Sequence, residues 1–242
     1  MTDETLLRRQ VAACTLLLND LGLLGYSGHV SARLPGRDAL LIQPTDQPRL
    51  ALSPDDLLTV DFTGRKIAGP EGRRPPSEVF LHCEILRARP DINAIVHFHH
   101  DLTTVFTLVR GVKLQPVKNH AVRWADGIPV HRDPSHVASP QLGRALVKTL
   151  GKRHALLIRA HGQVVTAESA PMVFTDCVQF VENAQAMYQA AQIGKVVPLT
   201  VKEIAAFRRT YKRDGSSKHK IWDYHVAGGR ARGVLPADWE LG

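Results

Sequence analysis

The sequence predicts one α/β domain over residues 1–242, with a basic C-terminal tail from about residue 195. Three observations carry this. The chain has 242 residues, 44% of them hydrophobic, which suits a single sizeable core. Short apolar segments alternate with stretches whose apolar residues recur at helical spacing. Within the first seventy or so residues, strand signals follow one another across tight turns, as antiparallel strands do.

Leu6, Leu7, Val11, Cys14, Leu17 and Leu18 place a helix over 5–21, stopped by Gly22 and Gly25. Residues 28–34 and 39–43 read as a hairpin around Pro35 and Gly36. A loop over 46–54 leads to a strand at 57–62, which Thr63 and Gly64 turn into a partner at 66–68. After a loop over 69–76, Ser77 reads as the N-cap of a helix over 78–89, closed by Pro90. Residues 94–98 form a buried strand and 103–108 a helical stretch ended by Gly111. Short strands are expected at 114–118 and Val130, and Ser139-Pro140 opens a helix to Leu150. A buried strand at 155–159, an alternating segment at 163–167 and a long helix over 170–193 follow. Beyond Pro198 the chain reads as helical to about Tyr211.

The net charge of +8 is concentrated in one place. Between Lys195 and Arg232 stand ten Lys/Arg and three Asp/Glu, a net +7. No aromatic-and-basic pattern or recognition-helix signature accompanies them, so nucleic acid is not the expected partner. A solvated face, an anionic small-molecule substrate or an acidic neighbouring subunit accounts for the charge. The apolar stretches are too short to cross a bilayer and no apolar leader opens the chain, so a cytoplasmic protein without a membrane partner is expected. Cys14, Cys83 and Cys177 form no C-x-x-C pair and are expected to be reduced and buried.

His97 and His99 end the buried strand, and alternation points both to one side. His161 stands just past a second buried strand, where neighbouring strand ends would converge the three. Three imidazoles suit one open divalent site for Mn, Zn or Fe. Any one of twelve histidines is more often a surface or core residue, so the argument rests on the set. Glu78, opening a helix, is the natural acid/base or fourth ligand.

These residues resemble the class II aldolase and adducin family. The resemblance runs over about residues 5–195, through Gly28-His29-Val30-Ser31-Ala32-Arg33, Pro76-Ser77-Glu78 with His82, His97-x-His99 and His161-Gly162. It implies a three-layer α/β/α fold around a mostly antiparallel sheet and a homotetramer with sites between subunits. It also implies metal binding by His97, His99 and His161, with Glu78 as the acid/base. Adducin-like scaffolds are the non-enzymatic alternative, expected to lack these ligands.

Sugar-phosphate members hold their phosphate with small polar residues where this chain has His29, Thr45-Asp46 and Pro76-Ser77. Asp46 would repel a phosphate and Pro76 has no N–H to donate. His29 and Arg33, with Arg123 and His120 as looser candidates, are instead donors suited to a carboxylate, and Ser77 is a further candidate substrate contact. The pattern is similar to a decarboxylase branch acting on hydroxylated aromatic or pyridine dicarboxylates. Aldol cleavage of a hydroxy-carbonyl or sugar-phosphate compound is the alternative, and an oxygenase or dehydratase comes third. In the tail, Tyr211, Tyr224 and His225 are candidates to cover a neighbouring site, with Tyr224 as a substrate contact.

Overall fold

The computed structural model describes residues 3–210 and 219–242. Its strands are β1 (His29–Arg33), β2 (Ala39–Ile42), β3 (Leu58–Asp61), β4 (Lys66–Ala68), β5 (Ala94–Phe98), β6 (Val130–His131), β7 (Ala155–Ile158) and β8 (Gly162–Ala167). The helices are α1 (Asp3–Asp20), α2 (Val79–Ala88), α3 (Asp101–Val105), α4 (Pro140–Leu150), α5 (Ala170–Ile193), α6 (Val201–Thr210) and α7 (Lys220–Ala231). The strands form one sheet in the order β4-β3-β2-β1-β5-β8-β7-β6. Every pairing is antiparallel except β6 with β7.

Alternation along β5 shows how the layers arise. Ala94, Val96 and Phe98 join the core built with α1, α5 and α7. Ile95 joins the opposite core, built with α2 and α4. Side chains on successive strand residues point to opposite faces, so His97 shares the α2 side with Ile95. The result is the α/β/α layering around a mostly antiparallel sheet that the resemblance implied.

Local chemistry explains the sharpest helix starts. Ser139 accepts from the Leu142 N–H and Ser169 from the Met172 N–H, each before a proline in the first turn. Three expectations need correction. Ser77 does not cap α2: the cap position belongs to Glu78, which makes no side-chain cap bond, and Ser77 is exposed. Residues 114–118 are not a strand; the Asn183 side chain bonds Val117 N, Lys118 N and Gln115 O, replacing ladder bonds. The helix expected at 103–108 begins at Asp101 and ends at Val105, followed by turns. Tyr211 lies outside the described residues, and α7 is a helix that the sequence reading left unassigned.

Candidate metal centre

Strand register brings the centre together. His97 pairs with His29 across β1 and with Val164 across β8. His99 lies just past β5, and His161 ends the tight β7–β8 turn, in which Ile158 pairs with Gly162. Within that turn Ala160 adopts a left-handed φ of 53°, and its N–H is held by Thr107 Oγ1 at 3.0 Å. Gly162 is required by proximity: a Cβ there would lie 2.5 Å from the Phe98 carbonyl and 2.7 Å from His99 Cδ2. Gly28 plays the same part on the other flank, at φ 94° with a Cβ position 2.7 Å from the His97 carbonyl.

Glu78, His97, His99 and His161 offer ligand atoms that all lie within 4.8 Å of one another. His97 Nε2 is 3.0 Å from His99 Nε2 and 3.3 Å from Glu78 Oε2, and His161 Nε2 is 3.6 Å from Glu78 Oε1. Tetrahedral donors about 2.05 Å from an ion stand roughly 3.3 Å apart, so this spacing fits one divalent cation. Two further observations agree. His97 Nδ1 donates to the Gln163 carbonyl at 2.9 Å, leaving Nε2 with its lone pair toward the cluster. Both nitrogens of His161 are buried without a hydrogen-bond partner.

Electrostatics favour the ligating forms of His99, His161 and Glu78. Burial, then the neighbouring histidines, pushes His99 down to about 4, and burial likewise lowers His161. Burial alone would raise the Glu78 carboxyl. The neighbouring His97 and His161 imidazoles and the Val137 N–H outweigh it and hold Glu78 well below the usual carboxylate range. Neutral imidazoles and an ionised carboxylate are what a divalent ion requires.

The remaining predicted contacts divide. His29 is brought to the cluster, its ring centroid 5.4 Å from that of His97. Ser77 adjoins Glu78 in the chain but is exposed. Arg33 is not brought there; its guanidinium is occupied by the carbonyls of Leu86, Arg89 and Ile92 at the far end of α2. Arg123 pairs with Glu168 at 3.0 Å and with buried Asp176 at 3.3 Å. His120 faces the Gln179 carbonyl, and Tyr224 is 75% exposed on α7, whose core lies across the sheet from α2. Asp46 is paired with Arg73 at 2.7 Å, which offsets the charge expected to repel phosphate.

Three residues at the centre had no spacing signature. His82 is fully buried and bonded to His29 and Ser31. His136 lies ring-to-ring with His161 at 5.4 Å, and Val137 N donates to Glu78 Oε1 at 3.0 Å. The Pro76-Ser77-Glu78 and His97-x-His99 elements give no sign of this opposing segment, because it arrives from a loop some forty residues further on.

Known proteins resemble this chain over most of its length. A 3,4-dihydroxyphthalate decarboxylase of Arthrobacter keyseri is 30% identical over 199 residues, 77% of this chain and 79% of that protein. A 5-methylthioribulose-1-phosphate/5-deoxyribulose-1-phosphate aldolase of Rhodospirillum rubrum is 28% identical, covering 80% of this chain and 85% of its own. An aldolase II superfamily protein from Pseudomonas syringae shares the fold with a TM-score of 0.84 at 19% identity, over 97% of this chain and 96% of that one. Residues 9–188 match the Class II Aldolase and Adducin N-terminal domain, and the chain belongs to that family.

Proposed function

We propose that this chain is a divalent-metal-dependent lyase that decarboxylates a hydroxylated aromatic or heteroaromatic (di)carboxylate of the dihydroxyphthalate type. The observation that carries decarboxylation over aldol cleavage is His29, a donor suited to a carboxylate, with its ring 5.4 Å from that of His97. The relative from Arthrobacter keyseri, named for that activity, supports the reading.

His97, His99 and His161 would hold one Mn, Zn or Fe ion, and that ion would supply a Lewis acid for the electrons left when carbon dioxide departs. Glu78 is ionised and can take the proton of a substrate hydroxyl on Oε2, while the Val137 N–H fixes Oε1. The bond from ring to carboxylate breaks, its electron pair stays on the ring carbon, and a proton takes the place of carbon dioxide. Glu78, once protonated, can return that proton. His29 orients the carboxylate, and Ser77 and Tyr224 are the other proposed contacts. Arg33 and Arg123 are not proposed as contacts, because carbonyls hold one guanidinium and Glu168 and Asp176 the other.

Aldol cleavage of a sugar phosphate is the second reading, favoured by the pairing of Asp46 with Arg73 and by the Rhodospirillum relative. A scaffold role is disfavoured by the intact donor set. A homotetramer is supported by the exposed apolar residues Leu108, Val109, Ile193, Val197 and Val201. A cytoplasmic setting is supported by three free, buried cysteines, and no described helix is long and apolar enough to cross a membrane. The deciding experiment incubates metal-loaded protein with 3,4-dihydroxyphthalate. Release of carbon dioxide without aldehyde is expected, aldehyde release from a sugar phosphate instead would establish the second reading, and a protein that binds no metal would exclude both.

A further inference from the structure

His29 and Ser31 stand two residues apart on one face of β1, where His82 of α2 meets both. Ser31 Oγ lies 2.7 Å from His82 Nδ1, and His82 Nε2 lies 3.3 Å from His29 Nδ1. Ser31 and His82 are fully buried and His29 is 6% exposed. Among the described residues the three side chains have no other hydrogen-bond partner.

A chain of a hydroxyl and two neutral imidazoles can be protonated in either direction, and the buried hydroxyl decides between them. In one direction Ser31 donates to His82 Nδ1, His82 Nε2–H donates to His29 Nδ1, and His29 carries its proton on Nε2. In the other, His29 Nδ1–H donates to His82 and His82 Nδ1–H donates to Ser31. The serine hydroxyl then has no acceptor in a site without water access. An unmade buried donor costs about 1–3 kcal/mol, enough to select the first direction. Both rings are buried and neither has a carboxylate among its hydrogen-bond partners, so each stays neutral and carries one proton.

We propose that Ser31 and His82 are positioning residues that hold His29 in the tautomer protonated on Nε2, making it a hydrogen-bond donor to an anionic oxygen of the substrate beside the metal centre. The substrate clause rests on the function proposed above; the tautomer does not. His82 acts through His29 and touches no substrate. Its effect is selective: a neutral donor favours a carboxylate oxygen, whereas the opposite tautomer would present a lone pair and repel it.

The test uses whole protein labelled with nitrogen-15 at histidine and loaded with diamagnetic zinc, with the His29 resonances assigned by their loss in His29→Asn. The expected spectrum shows His29 protonated on Nε2 and bare on Nδ1. Ser31→Ala, which removes one oxygen from the strand, should give a mixed tautomer and raise KM for 3,4-dihydroxyphthalate about tenfold, with kcat and zinc content nearly unchanged. His82→Phe should move the tautomer in the same way. A proton on His29 Nδ1 in the unaltered protein, or a tautomer unmoved by Ser31→Ala, overturns the proposal. A moved tautomer with unmoved KM overturns its substrate clause. Because the spectrum is read without substrate, a protein that releases no carbon dioxide fails the proposed function while leaving the tautomer result standing.

Discussion

Glu78 divides its carboxylate between His97 and His161: Oε2 is 3.3 Å from one Nε2 and Oε1 is 3.6 Å from the other. Sequence separates these histidines by more than sixty residues, and the carboxylate reaches both because it sits at the start of α2, packed against the face that β5 turns toward it. One group is therefore placed to balance the charge of a bound cation and to act as the nearest base. The Val137 N–H holds Oε1, so Oε2 is the oxygen left to exchange a proton.

Glu78→Gln separates those two roles. The amide oxygen can still accept from Val137, whereas the charge and the basicity are lost. Metal content measured by elemental analysis should stay near that of the unaltered protein while kcat falls by about 100- to 10,000-fold. Unchanged kcat would remove Glu78 from the chemistry. Treatment with a chelator should abolish turnover in both proteins, and adding a divalent ion should restore each to its own starting rate.

Arg33 tests the opposite case, a residue singled out for binding that the fold uses structurally. Its guanidinium donates to three carbonyls where α2 ends and the chain turns into β5. Charged donors to carbonyls contribute about 1.5–3 kcal/mol each in favourable settings, so Arg33→Met is expected to cost about 2 kcal/mol or more of folding stability. Denaturant titration reads that loss, and KM of the remaining folded enzyme should be unchanged. A raised KM without lost stability would return Arg33 to the substrate.

The contrast between Glu78 and Arg33 shows what a sequence can carry. The clustering of the candidate donors was legible because strand alternation fixes the relation of His97 to His99, and because His161 follows a buried strand in the same way. The layered fold was legible because apolar periodicity records which face each element buries. The partners of Arg33 and Arg123 were not legible, for a different reason. Whether an arginine meets a substrate or a carbonyl depends on partners such as Leu86 O and Asp176, which only tertiary structure supplies. His136 was passed over, and His82 entered only through the family resemblance, because a lone histidine has no spacing to betray its neighbours. The missing strand at 114–118 follows from Asn183, a distant side chain that takes over the backbone bonds a neighbouring strand would have made.

The buried histidines predict an acid-labile metal-free protein. In the unfolded chain histidine takes up a proton near pH 6.5. In the folded chain burial lowers His82 to about 3 and His99 and His154 to about 4, the last assisted by Arg123. Below pH 6.5 the unfolded state therefore binds more protons than the folded one, and stability falls as pH falls toward about 4. Glu78 does not oppose this: a depressed carboxylate contributes stability that is lost only below its unfolded value near 4.5. Thermal unfolding of chelator-treated protein should show Tm dropping steadily from pH 7 to pH 5. A flat Tm over that range would mean that these rings are protonated, or solvated, in the folded state.

The C-terminal tail divides into a packed part and an exposed part, and the two should respond differently. Trp222 is 1% exposed and meets Phe174 edge-on at 5.4 Å, while Val226, Leu235 and Leu241 complete the same core. Trp222→Ala should therefore cost about 3–5 kcal/mol. Truncation after Gly194, which strips all four side chains at once, should lose metal and activity together through unfolding. Tyr224 lies on the same helix with 75% of its surface open, so Tyr224→Phe should change stability by no more than about 0.5 kcal/mol. If its hydroxyl reaches the centre of a neighbouring subunit, Tyr224→Phe lowers kcat with Tm and metal content unchanged, which is the outcome expected here. Unchanged kcat would confine the tail to packing, with Trp222 as its anchor.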